Sequence, residues 1–148
     1  MTFPSDILIV SSDLESRRAL SNILDRQELD PICVPTIHEA LDLLSHRGIG
    51  LVFCDHHLPD GNYRDFLAAL RSLKIKARVV LTSRRADWDE YLDAMRLGAF
   101  DVIATPCRPT DVEWMVIQAN RDERNRSRPE PYSAEVDSNT GQAAAGAR

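Results

Sequence analysis

The chain has 148 residues, 43% of them hydrophobic, which is enough to bury one core and sets the expectation of a single domain. Its formal net charge of -5, with acidic and basic side chains interspersed, argues against nucleic acid and anionic membrane as partners. No basic segment followed by an apolar run opens the chain and no span is long enough to cross a bilayer, while Cys33, Cys54 and Cys107 lack Cys-x-x-Cys spacing, so reduced, buried thiols in a cytoplasmic protein are expected.

In chain order, Asp6 to Val10 is an apolar run, followed by Ser12-Asp13-Leu14-Glu15, a capping-box pattern predicting a first helix to about Asp30 with Leu14, Leu20, Ile23 and Leu24 near one face. Ile32 to Val34, between Pro31 and Pro35, reads as a short strand at a sheet edge, where proline is tolerated. Thr36-Ile37-His38-Glu39 is a second capping box. It opens a helix with a stripe of Ile37, Ala40, Leu41 and Leu44 and with Gly48 as its stop. Leu51 to Cys54 is an apolar run too short for a helix, halted at Asp55 and followed by the turn Pro59-Asp60-Gly61. It reads as a buried strand that delivers Asp55 to its C-terminal end.

Phe66, Leu67, Leu70 and Leu73 form the expected inner face of the third helix, and Ala77 to Thr82 the fourth strand. Trp88, Leu92 and Met95 mark the fourth helix, ending at Gly98. Asp101 to Ala104 is the fifth strand, closed by Thr105-Pro106, and Thr110-Asp111-Val112-Glu113 is a third capping box. Apolar periodicity fades from about Arg121, so residues 6–123 are expected to form the domain and residues 124–148 a disordered tail.

Five strand and helix pairs with short connections predict an α/β, (βα)5 flavodoxin-like, doubly wound parallel sheet of order 2-1-3-4-5. In that order the crevice lies over the C-terminal ends of the first and third strands. Ser11, Ser12 and Asp13, then Asp55, then Thr82 and Ser83, then Thr105-Pro106, should converge there.

These residues resemble the receiver domain of two-component response regulators, a CheY-like family. The resemblance covers about Asp6 to Glu123 and rests on Asp55-His56-His57-Leu58-Pro59-Asp60-Gly61, on Val79-Val80-Leu81-Thr82-Ser83, on Leu97-Gly98-Ala99-Phe100-Asp101 and on Pro106. It implies that Asp55 is at the phosphoacceptor position, that Thr82 is the switch hydroxyl, and that Pro106 follows a cis bond. It also implies an acidic pair at the end of the first strand to hold Mg²⁺, a Lys before the proline, and an aromatic switch residue on the fifth strand. In this sequence those positions are Ser11 and Ser12, Thr105, and Val102. With Asp55 and Asp13 as the remaining carboxylates, no cofactor or only weak Mg²⁺ is expected. Loss of the acidic pair and the Lys removes most of the electrostatic means of phosphoryl transfer.

His56 and His57 read as solvent-facing loop histidines rather than a transition-metal site, because Asp55 and Asp13 are the only further ligands to be named. Arg84 and Arg85 read as ordinary charges leading into the fourth helix, with replacement of the lost Lys as the sharper alternative. Trp88, Tyr91 and Trp114 read as half-buried aromatics or as anchors on the surface of fourth helix, fifth strand and fifth helix, where the family docks its partners. The expected function is a stand-alone, non-enzymatic receiver in a phosphorelay. Its partners would be a sensor histidine kinase or other signalling proteins, bound independently of phosphorylation or with a partner's assistance. The alternative is a flavodoxin-like enzyme or cofactor-binding protein, disfavoured because Ser11-Ser12-Asp13-Leu14-Glu15 has no glycine to let backbone approach a phosphate.

Overall fold

The computed structural model of the chain describes residues 5–127. The chain runs β1 (Asp6–Val10), α1 (Leu14–Arg26), β2 (Ile32–Val34), α2 (Ile37–His46), β3 (Ile49–Asp55), β4 (His57–Leu58), β5 (Gly61–Asn62), α3 (Tyr63–Ser72), β6 (Arg78–Ser83), α4 (Trp88–Arg96), β7 (Asp101–Ala104) and α5 (Pro109–Ser127). The five longer strands form one parallel sheet, β2-β1-β3-β6-β7, which is the expected 2-1-3-4-5 order. β2, flanked by its two prolines, lies at an edge. The two-residue strands β4 and β5 pair antiparallel around Pro59 and Asp60.

Side chains alternate across the sheet and divide the core in two. Leu8, Val10, Val52, Cys54, Val79 and Leu81 face α2, α3 and α4, whereas Ile7, Ile9, Leu51, Phe53 and Val80 face α1 and α5. Burial on both faces explains the continuous apolar run of β3, buried from Ile49 to Cys54. On α5 the stripe Val112, Met115, Val116 and Ala119 covers the second face. No helix among the described residues is long and apolar enough to cross a membrane.

Helix ends depart from the sequence expectations in ways with physical causes. Ser12 is exposed and caps nothing; Asp13 occupies the N-cap of α1, its carboxylate taken by the Ser16 hydroxyl at 2.7 Å. α1 stops at Arg26, short of Asp30, because Glu28 turns left-handed (φ 62) and the amides of Glu28 and Leu29 bond back to Asp25 and Leu24, burying Leu29. The same closure ends α3 with Lys74 (φ 58) and α4 with Gly98 (φ 103), the latter as expected. Gly48 plays no such part, since α2 ends on Arg47 in extended backbone. Thr36 caps α2 as expected, accepting from the Glu39 amide at 3.1 Å. α5 starts at Pro109, ahead of Thr110, with proline in the first turn, where its missing N–H costs nothing.

Three inward assignments also change: Leu14 is exposed at the start of α1, Leu73 is exposed past the end of α3, and Cys33 is an exposed thiol beside Ser21 on the edge strand. On α4, Trp88 and Leu92 face solvent, and the buried residues are Glu90 and Ala94. Residues 124–127 continue α5, whose preceding turn is tied to the sheet by Arg78: this buried guanidinium donates to Asp122 at 2.5 Å, Glu123 at 2.9 Å and the Gly50 carbonyl at 3.3 Å. The rest of the expected tail, residues 128–148, lies outside the described residues.

Candidate functional site

Three neighbouring strands end at one level and place the first three side chains. Register pairs Val10 with Cys54 and Asp55 with Thr82, so Ser11, Asp55 and Thr82 emerge side by side over the C-terminal edge of the sheet. Ser11 is 1% exposed, its amide held by the Val34 carbonyl at 3.0 Å. Its hydroxyl donates to Asp55 Oδ2 at 2.5 Å, and the Thr82 hydroxyl donates to Asp55 Oδ1 at 2.8 Å. Both carboxylate oxygens of Asp55 are therefore engaged by neutral donors. Burial pushes the Asp55 carboxyl above the usual carboxylate range; the two hydroxyl bonds and Arg84 pull the other way, and the Asp13 charge adds to the rise.

The remaining strand ends complete a cleft of about 360 Å³ whose walls include Ser12, Asp13, Thr82, Arg84 and Thr105. Thr105 is half-buried, anchored through its amide to the Ser83 carbonyl at 3.0 Å and joined to Pro106 by the cis bond that the resemblance implied. Asp13 is exposed, and its carboxyl is held low first by the Ser16 hydroxyl and, more weakly, by Arg84, whose Nη2 is 4.0 Å away. Arg84, highly exposed, lines the same cleft as Thr105, while Arg85 turns to Asp87 at 3.1 Å. Cys107, beyond the proline, is a half-buried thiol pushed up to about 11 by burial. Among the described residues no three His, Cys, Asp or Glu side chains group to hold a metal ion.

The loop histidines separate. His57 is exposed as expected, but His56 is not solvent-facing: its Nε2 lies 2.9 Å from Oε2 of buried Glu90, and its ring meets Tyr63 edge-on at 4.9 Å. Burial first, against the attraction of Glu90, holds the His56 imidazolium pKa below its ordinary value. Glu90 and Tyr63 carry no signal in the sequence for this role, since each needs a partner that only the folded crossover supplies. Of the candidate anchors, Trp88 is 69% and Trp114 51% exposed, while half-buried Tyr91 stacks on Trp88 at 5.5 Å. Val102 is half-buried against the core face covered by α2, α3 and α4.

Residues 7–117 match the family model of the response regulator receiver domain. The response regulator protein PilR of Pseudomonas aeruginosa is 29% identical over 130 residues, 88% of this chain and 28% of that protein. The swarming motility regulation protein RssB of Serratia marcescens is 29% identical over 116 residues, 78% of this chain and 53% of that protein. The chain therefore spans about a quarter to a half of these relatives' length. Among solved structures, a CheY-like receiver domain protein from Methanospirillum hungatei superposes with a TM-score of 0.74 at 19% identity, covering 85% of this chain and all of that one. The receiver domain of Ssk1, solved in complex with the histidine phosphotransfer protein Ypd1 of Saccharomyces cerevisiae, gives 0.74 at 16% identity, covering 83% of this chain and 94% of that one.

Proposed function

Because the chain belongs to the response regulator receiver domain family of two-component signalling, we propose that it acts as a protein-interaction module whose output does not depend on stable phosphorylation of Asp55. The observation that carries this is the pair of hydroxyl bonds on Asp55, from Ser11 at 2.5 Å and Thr82 at 2.8 Å. Phosphoryl transfer would make a bond from an Asp55 oxygen to phosphorus as the bond from phosphorus to the donor breaks and the donor departs with that electron pair, leaving the added anionic charge beside Asp13. Catalysis of that step rests on positioning and on charge that stabilises the transferring group. Here a hydroxyl, Ser11, stands at the end of β1, and another, Thr105, stands where the family has Lys.

Mg²⁺ keeps several waters and is ordinarily held by one or two carboxylates together with phosphate oxygens. Asp55 offers oxygens already bonded to hydroxyl donors, and Asp13 is exposed and shared with Ser16 and Arg84. These residues do not fit a Mg²⁺ centre. On this reading the domain has no enzymatic activity of its own. Its partners are signalling proteins, in keeping with the complex of the Ssk1 receiver domain with Ypd1. The docking surface is formed by α4, β7 and α5, with Trp88, Tyr91 and Trp114 as anchors. Three free thiols suit the cytoplasm.

The test is labelling with acetyl phosphate and Mg²⁺, read by intact mass. The wild-type protein should form little stable aspartyl phosphate, and Ser11→Asp, Ser12→Asp and Thr105→Lys combined should raise the yield. Efficient Mg²⁺-dependent labelling of the unmodified protein at Asp55 would overturn the proposal.

A further inference from the structure

α4 is poorly anchored by apolar contacts. Its buried side chains are Glu90 and Ala94, with half-buried Met95 beside them, while Trp88 and Leu92 face solvent. A helix normally docks through a wide apolar stripe, and a buried carboxylate in its place is expensive unless fully paired. Glu90 is fully paired. Its Oε2 meets His56 Nε2 at 2.9 Å, its Oε1 accepts from the Ala86 amide at 3.0 Å, and its own amide donates to Asp87 Oδ1 at 2.9 Å. Ala86 is a non-glycine residue in left-handed backbone (φ 43), and its amide is also within 3.3 Å of Ser83 Oγ, so the β6–α4 loop is held in a demanding conformation by the same carboxylate.

A second contact lies one turn along α4. Asp93 accepts from the buried Tyr63 hydroxyl and from Arg64 Nε at 2.7 Å. Residues three apart share a helix face, so Glu90 and Asp93 look the same way. Their partners also form one unit: the rings of His56 and Tyr63 pack edge to face at 4.9 Å, and the Tyr63 amide donates to the His56 carbonyl at 3.0 Å. Both contacts therefore tie α4 to the residues that flank the β4–β5 hairpin, His56 before it and Tyr63 at the start of α3.

We infer that His56 and Tyr63 form a two-point polar clamp on Glu90 and Asp93 that fixes α4 in one position, so that the Trp88 and Tyr91 face is set by the clamp and not by the Asp55 and Thr82 pair. This deepens the proposed function by naming what holds its docking surface, and it rests on that reading for the surface alone. All four side chains are positioning residues, since none of them bonds to Asp55.

Hydrogen exchange of the full chain without phosphodonor tests the clamp through the amides of α4, with those of β1 and β3 as internal reference. His56→Ala and, separately, Tyr63→Phe should speed exchange in α4 at least tenfold and leave β1 and β3 within threefold of wild type. Asp55→Asn and Thr82→Ala should leave α4 within threefold. The clamp is overturned by any of three results: α4 within threefold in both clamp variants; α4 accelerated tenfold by Asp55→Asn or Thr82→Ala; or β1 and β3 accelerated as much as α4, which would mean that the helix has no opening of its own to restrain. Failure here is distinguishable from failure of the phosphorylation reading. Efficient labelling of Asp55 together with clamp-dependent exchange would remove that reading and keep the clamp, whereas an unlabelled Asp55 with clamp-independent exchange would do the reverse.

Discussion

Two aspartates five positions apart titrate in opposite directions and affect stability with opposite signs. Burial raises the Asp55 carboxyl above its unfolded value, so the folded chain binds that proton more tightly than the unfolded chain does. Its contribution is present below the unfolded pKa and is lost as pH rises through the folded one, so at neutral pH the buried charge opposes folding. Asp55→Asn keeps an acceptor for one hydroxyl and offers an N–H to the other. It should raise the thermal midpoint at pH 7 by a few degrees, and the gain should shrink as pH falls toward about 4, the ordinary Asp range. A lower midpoint at pH 7 would contradict this assignment. For Asp60, partial burial works against ionisation, but the amides of Ile37 and His38, donating at 2.9 and 3.0 Å, hold the carboxyl below its ordinary value. That carboxylate caps α2 from a turn 23 positions away, and its contribution is present above the unfolded pKa and lost as pH falls through the folded one. Asp60→Ala should cost about 1 kcal/mol at pH 7, the usual worth of an N-cap side chain, and thermal melts at several pH values would show the loss fading in acid.

At the scale of elements, left-handed closures decide where helices stop. α1 and α3 close on Glu28 and Lys74, residues that carry a Cβ into left-handed backbone. Lys74→Gly should stabilise the domain by up to about 1 kcal/mol, since the strain relieved exceeds the flexibility added to the unfolded chain, measurable by urea denaturation. Gly61 is the opposite case: at φ 153 an added Cβ would lie 2.7 Å from Asp65 Oδ2 and 2.9 Å from Ile37 Cδ1. Gly61→Ala would therefore disturb the Asn62 and Asp65 capping box of α3, and should destabilise more than Asp60→Ala does. The order of elements was legible because β3 and β6 are apolar runs bounded by turn signals and because Thr36 and Gly98 carry recognised helix signals. Closure on Glu28 or Lys74 was not, since neither side chain announces left-handed backbone. The inward face of α4 was not legible for a related reason. Trp88, Leu92 and Met95 have helical spacing, but the inward face is completed by a charge, Glu90, whose partner His56 lies on a different element. At the site, Ser11, Asp55 and Thr82 were placed together by strand order alone, whereas the hydroxyl bonds between them depend on side-chain packing.

At the scale of the whole molecule, the proposed function rests on the relay that the family resemblance implies, whose aromatic position on the last strand is Val102 in this sequence. A site can shift a conformational equilibrium only through a ligand that binds its two states differently. The proposal that the α4 face is fixed predicts that Asp55→Asn changes affinity for a captured signalling partner by less than threefold, under ~1 kcal/mol, while Trp88→Ala weakens it at least tenfold, as measured by calorimetry. The most direct measurement of the uncoupling is a two-dimensional ¹H–¹⁵N spectrum recorded while Mg²⁺ and beryllofluoride, a phosphoryl mimic, are titrated into the full chain. The account predicts that the Trp88 indole and the amides of Tyr91 and Val102 stay where they are, and saturable shifts at those three signals would contradict it.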